Sequence, residues 1–150
     1  YRDTVMPCVE RSPRCGQYDA ARIATILPGT TTRLEAALRI VRSRAPHATV
    51  IVVGYPQLVG TRTCKDLPAA PNRLAGLRQL VTNLNNALKT AAAATGATFV
   101  NPAPASEGHD VCSADPWING IHTDTERAMA VHPFLVEQQA VARLIANRLN

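Results

Sequence analysis

The chain has 150 residues, 46% of them hydrophobic and only 4% aromatic, which suits one domain with an aliphatic core and argues against a disordered chain. No apolar run approaches the roughly 18 residues of a membrane span, and no charged-then-apolar leader opens the sequence, so neither a transmembrane segment nor a retained signal peptide is expected. Sixteen Lys and Arg against eleven Asp and Glu give a net charge of +5, but the basic residues are dispersed and lack interleaved aromatics. Nucleic acid is therefore not an expected partner.

Residues 1–18 collect Pro7, Cys8, Pro13, Cys15 and Gly16 and read as a stapled loop. Asp19 can cap a short helix through Leu27, which Pro28-Gly29 ends. Thr32-Arg33-Leu34-Glu35 is then a capping box that starts a second helix, with Leu34, Ala37, Leu38 and Val41 on its buried stripe and Pro46 as its stop. The β-branched run Thr49–Gly54 suits a central strand covered on both faces. A Pro-containing loop leads from Tyr55 to about Pro71. Leu74, Leu77, Val81, Leu84 and Leu88 mark a long amphipathic helix closed by Gly96, and Ala97–Val100 is a second strand. Strand, helix, strand is a βαβ unit with parallel strands. Residues 101–133 form a long aperiodic segment, the kind that is usually functional. Phe134, Val136, Ala140, Val141, Leu144, Ile145 and Leu149 give a closing helix. The fold class is α/β.

The four cysteines, Cys8, Cys15, Cys64 and Cys112, contain no Cys-x-x-Cys pair, so a zinc site is not expected. Their even number and wide spacing suit two disulfides made in an oxidising compartment, and hence a secreted or cell-envelope protein. Of the three possible connectivities, the local pair Cys8–Cys15 with Cys64–Cys112 is the simplest. In open α/β sheets ligands bind beyond the carboxyl ends of the strands. Here the loops leaving those ends carry Cys64 and Cys112, so their disulfide would tie together two loops on the functional edge.

Among the histidines, His47 reads as a solvated helix-end residue and His122 as exposed. His109 reads chiefly as a residue that orders its loop by hydrogen bonding. His132 is the strongest candidate for chemistry, because Pro133 fixes the chain at the start of a helix and holds the imidazole. His109, Asp110, Asp115 and His122 have no diagnostic metal-ligand spacing, and no G-x-G-x-x-G loop is present. No metal or cofactor is expected. The serines, Ser12, Ser43, Ser106 and Ser113, all lie outside G-x-S-x-G or Gly-Asp-Ser contexts. The chain therefore offers a base without an evident nucleophile.

The ordered series Val50–Gly54 with Tyr55-Pro56, Cys64, Gly108-His109-Asp110-Val111-Cys112, Asp115-Pro116-Trp117-Ile118-Asn119-Gly120 and His132-Pro133 resembles secreted SGNH (GDSL) hydrolases, in particular the actinobacterial esterases and lipases. The resemblance runs from about Cys8 to the C-terminus. It implies a three-layer α/β/α sandwich on a parallel sheet, in which a serine attacks an ester carbonyl and a histidine acts as general base. Only that histidine maps onto this chain, at His132. The serine, glycine and asparagine of the family's nucleophile and oxyanion hole belong to motifs that come earlier. The chain thus resembles the C-terminal part of such a domain, with its first strands outside this chain and an upstream segment, in the same product or a companion chain, as the partner carrying the serine. Many relatives place an Asp three residues before the histidine, where this chain has Met129. Some orient the histidine with a main-chain carbonyl, a role open to the Met129–Ala130 region and less readily to Asp124. Glu137 and Phe134 stand where small residues are usual. The substrate class implied is an ester or lipid, with Trp117 and Ile118 as candidate walls of an acyl pocket. A non-catalytic scaffold serving as an extracellular or cell-envelope binding module is the alternative.

Overall fold

In the computed structural model, residues 20–149 are described. The Asp19 cap, the loop over residues 1–18 and the expected Cys8–Cys15 pair lie outside the described residues. Helix α1 (Ala20–Arg44) is followed by strand β1 (Ile51–Val53), helix α2 (Leu74–Thr95), strand β2 (Thr98–Val100) and helix α3 (Leu135–Leu149). The strands pair in parallel, Ile51 with Thr98, Val52 with Phe99 and Val53 with Val100, as the βαβ pattern requires.

The two helices expected on either side of Pro28-Gly29 are one. Pro28 lies inside α1, where it removes a single N–H from the helical ladder. The threonines that follow bond back along the helix: Thr30 Oγ1 donates to Ile26 O (3.3 Å), Thr31 to Leu27 O (3.1 Å) and Thr32 to Pro28 O (3.1 Å). Thr32 thus acts as a mid-helix residue rather than an N-cap. The sequence around it carries both a stop and a start signal, and the chain follows neither.

Helix α2 behaves as its pattern predicts. A single 3₁₀ turn over Pro71–Arg73 leads into it. Gly96, at φ 69°, ends it and donates to the carbonyls of Ala92 and Ala93. From α1, the Arg42 guanidinium donates to Gly96 O at 3.1 Å, placing positive charge at the negative end of α2.

The layering follows from strand alternation. Val50 and Val52 turn to one face, where they pack with Leu38 of α1 and with Leu88, Ala91 and Ala92 of α2. Val53 turns to the other face, where Glu137, Gln138 and Val141 of α3 stand across a cleft. Helices α1 and α2 thus cover one face of the sheet, and α3 lies on the other side across the cleft. The expectation that β1 is covered on both faces needs correction: Val52 is buried, but Ile51 and Val53 are only half-buried, because α3 stands off from them.

A second core of Leu58, Val59, Leu67, Leu74, Leu77, Val111 and Ile118 packs the two long loops onto the first half of α2, with Cys64 and Cys112 against it. Those cysteines form the expected disulfide, with Cα atoms 5.6 Å apart and a sequence separation of 48. Chain-entropy arithmetic for a loop of that length gives about 4 kcal/mol of stabilisation.

The carboxyl end of β1 is held by one polar side chain. Asn85, buried on α2, accepts from Tyr55 N (2.7 Å) and donates to Tyr55 O (2.8 Å). A Cβ on Gly54 would lie 2.7 Å from Asn85 Oδ1, so glycine is needed for this approach. Asn85→Ala leaves a strand-end N–H and C=O without partners, and the expected loss in stability is about 2–3 kcal/mol in urea unfolding. A loss under 0.5 kcal/mol would contradict this clamp.

Candidate active site

Beyond the carboxyl end of β1 lies a cleft of about 540 Å³, bordered by Val53–Pro56, Leu58, Ile118, Val131–Pro133 and the first turns of α3. Its size falls within the ordinary range for small-molecule sites, and its walls are mainly apolar. His132 stands at its edge and is solvent-exposed.

The backbone that carries His132 is pinned on both sides. Residues 131–134 run antiparallel to residues 117–120: Phe134 N donates to Trp117 O (2.8 Å), Asn119 N to His132 O (2.9 Å) and Val131 N to Gly120 O (2.8 Å). Ile118 and Pro133 face each other in this pairing. Because the bonds flank that pair instead of joining it, the proline's missing N–H leaves no gap in the ladder. The 117–120 segment is in turn pressed onto the loop of the disulfide. Ile121 N donates to Asp66 O (3.0 Å), and a Cβ on Gly120 would come within 2.6 Å of that same carbonyl oxygen.

The imidazole is oriented by main chain. His132 Nδ1 lies 2.8 Å from Ala130 O. A carbonyl can only accept, so Nδ1 carries the hydrogen and Nε2 of the neutral ring keeps its lone pair. The preceding residue, Val131, has φ 61° and is the one non-glycine residue with positive φ among those described. For a β-branched side chain this conformation costs about 1–2 kcal/mol, which the surrounding hydrogen bonds must offset. Asp124 is occupied in its own turn, accepting from Glu126 N (3.0 Å) and Arg127 N (3.2 Å).

Glu137 is a feature whose setting the sequence does not reveal. It sits three residues into the start of α3, where a glutamate often reaches back to the N-cap N–H. Here that N–H, on Phe134, is taken by Trp117 O. The carboxyl borders the cleft instead; Glu137 is 2% exposed, and its Oε2 has no hydrogen-bond partner among the described residues. Burial pushes its pKa above the ordinary value of 4.5.

The other sequence candidates, Ile118 excepted, lie apart from this site. Ile118 borders the cleft but is a core residue, 1% exposed. Trp117 is not part of the cleft wall: its ring stacks on His109 with centroids 4.1 Å apart, because its strand position directs it to the opposite side from Ile118. His109 Nδ1 lies 2.9 Å from Asp115 O and 3.3 Å from Asp115 Oδ2, the loop-ordering arrangement. His47 and His122 are exposed and away from the cleft. Ser43 bonds to Ile40 O on α1. Ser106 is buried, accepting from Gln57 N at 2.8 Å. Neither these nor Ser113 borders the cleft, and Ser12 is outside the described residues. No three His, Cys, Asp or Glu side chains converge as metal ligands among the described residues.

Comparison with known proteins gives a consistent result. The profile of the GDSL-like lipase/acylhydrolase family matches residues 9–133, ending just beyond His132. Lipase 2 of Streptomyces coelicolor is 37% identical over 120 residues, covering 69% of this chain and 41% of that protein. Among solved structures, the phospholipase A1 from Streptomyces albidoflavus NA297 superposes with a TM-score of 0.80 at 25% identity, over 95% of this chain and 61% of that one. The extracellular lipase from Streptomyces rimosus gives 0.71 at 25% identity, over 85% and 56%. The chain spans less than half the length of the curated relatives it matches.

The buried carboxyl has a consequence for stability. Glu137 ionises at its ordinary pKa when unfolded and only at a higher pH when folded. Its contribution is therefore fully present below about pH 4.5 and is lost as pH rises through the folded-state value. Glu137→Gln is expected to raise the urea midpoint at pH 7–8 and to converge with the parent protein toward pH 4. Parallel pH profiles for the two proteins would contradict the burial of this charge.

Proposed function

The chain belongs to the GDSL-like lipase/acylhydrolase family, and on that premise we propose that it carries the general base, His132, of a secreted serine ester hydrolase acting on lipid or other carboxylic esters, with the nucleophilic serine contributed by an upstream segment. One observation supports this above the others. The His132 ring is held as the Nδ1–H tautomer by Ala130 O, and Nε2 has no hydrogen-bond partner among the described residues, at the edge of an apolar cleft. A general base for a hydroxyl needs this arrangement: a lone pair presented to the reacting atom and the other nitrogen tied down.

In the proposed reaction Nε2 takes the proton of the serine hydroxyl as its oxygen attacks the ester carbonyl. The imidazolium then returns that proton to the departing alkoxide oxygen, leaving an acyl-enzyme. Water, deprotonated by the same nitrogen, attacks the acyl carbon, and the imidazolium gives that proton to the departing serine oxygen as the carboxylic acid is released. The Ala130 carbonyl takes the place of the acidic partner, supplying a fixed dipole that orients the ring. Val53, Leu58, Ile118 and Val141 supply an apolar wall that suits an acyl chain. Secretion is supported by the Cys64–Cys112 disulfide and by the extracellular relative.

Hydrolysis of p-nitrophenyl butyrate by the natural full-length protein tests the assignment. Because His132 is exposed, His132→Ala is expected to leave the melting temperature within about 2 °C while lowering kcat at least about a thousandfold. A folded variant retaining a tenth or more of the activity would remove His132 from the mechanism.

A further inference from the structure

We infer that Asn119 is the positioning residue that sets the working tautomer of His132, by fixing the turn that carries the Ala130 carbonyl. The catalytic arm of this inference rests on the reading of His132 as general base; the structural arm does not.

Asn119 is the hub of that turn. Its side-chain Nδ2 donates toward three carbonyls, His122 O (2.9 Å), Ala128 O (2.7 Å) and Met129 O (3.1 Å). An amide has two protons, so one of these bonds is shared. Its Oδ1 accepts from Gly120 N (2.8 Å), and its own N–H donates to His132 O (2.9 Å). One residue therefore joins both ends of the 120–132 excursion and its middle.

The bonds converge on the peptide that orients the histidine. The Ala130 carbonyl is flanked by Met129, held through Asn119 and through His132 N (3.1 Å), and by Val131, held through Gly120 O (2.8 Å). Ala130 N is bonded to Thr123 Oγ1 (3.1 Å). Val131, at φ 61°, leaves the left-handed region readily once the turn is released. The Ala130 carbonyl would then swing away from Nδ1. A neutral imidazole without that partner favours the opposite tautomer, in which Nε2 carries the hydrogen and cannot accept a proton.

The chemistry of the hub selects asparagine. Aspartate would keep the acceptor for Gly120 N but set negative charge against three carbonyls. Leucine has the same shape and no bonds. Glutamine moves the amide one methylene further out, past carbonyls that already lie within 3.1 Å.

The test uses the natural full-length protein and its Asn119→Asp, Asn119→Leu and Asn119→Leu/Val131→Gly variants. Long-range 1H–15N spectra of the His132 ring, above its titration, report the tautomer directly. The parent protein is expected to show Nδ1–H, and the Asn119 variants Nε2–H or a mixture. On p-nitrophenyl butyrate, kcat is expected to fall about 10- to 100-fold with KM within about threefold, the size usual for lost orienting partners. Glycine at 131 lets the turn stay left-handed without a Cβ penalty. It should therefore return at least about fivefold of the lost kcat and shift the tautomer back toward Nδ1–H. It also supplies a folded protein if the single variants do not fold. A folded variant that keeps the Nδ1–H spectrum, or a parent protein showing Nε2–H, would overturn the inference. Full activity in His132→Ala would instead sink the catalytic reading and leave the spectra as the test of Asn119.

Discussion

The antiparallel contact between residues 117–120 and 131–134 is the constraint on which the site depends. Residues 101–134 lie outside the named strands and helices, so His132 is held neither on a strand of the main sheet nor within a helix. Its position instead derives from three main-chain bonds to the 117–120 segment, and that segment is fixed from behind by Asp66, which is packed so closely that residue 120 must lack a side chain. Asp66 lies two residues past Cys64, whose disulfide to Cys112 closes the loops leaving both strands. The histidine is thus connected to the sheet through covalent and close-packed links rather than through flexible loops. An unpaired buried amide is costly, so loosening any link exposes several others.

Much of this was legible in the sequence. The Leu74–Leu88 stripe and Gly96 located α2, the two β-branched runs located the parallel pair, and the positions of Cys64 and Cys112 after those runs anticipated the disulfide. Local patterns sufficed there because each element's signal lies within the element. The continuity of α1 between Pro28 and Thr32 was not legible, because local stop and start signals there compete with continued helix. The half-open face of β1 was not legible either, since its β-branched residues look the same whether α3 closes on them or stands off.

The candidate site was read only in part. His132 and a main-chain partner near residues 129–130 were anticipated, through resemblance and the His-Pro pair. Asn119 and Asn85 were not, because a single asparagine gives no sign of partners that lie 9 to 30 residues away. The Asn-Gly pair at 119–120, set between two isoleucines, is the one local sign that a polar side chain there faces inward. Glu137 stands out in the sequence only as a replacement for a usual small residue; the structure shows that Trp117 O has taken the N–H that a glutamate at that helix position would otherwise accept from. These residues share one physical trait. Each is a buried or half-buried polar group satisfied by, or waiting for, a partner remote in sequence, which periodicity cannot register.

In the proposed reaction His132 Nε2 is the atom that meets the nucleophile. The most direct test is a crystal structure of the natural full-length protein after inactivation by a fluorophosphonate ester, whose phosphorus marks the reactive serine as fluoride leaves. The account predicts that the modified serine oxygen sits about 3 Å from His132 Nε2, with Nδ1 still on Ala130 O and the adduct's alkyl group in the apolar cleft beside Ile118. An adduct on a serine out of reach of His132, or a His132 ring turned away from Ala130, would contradict it.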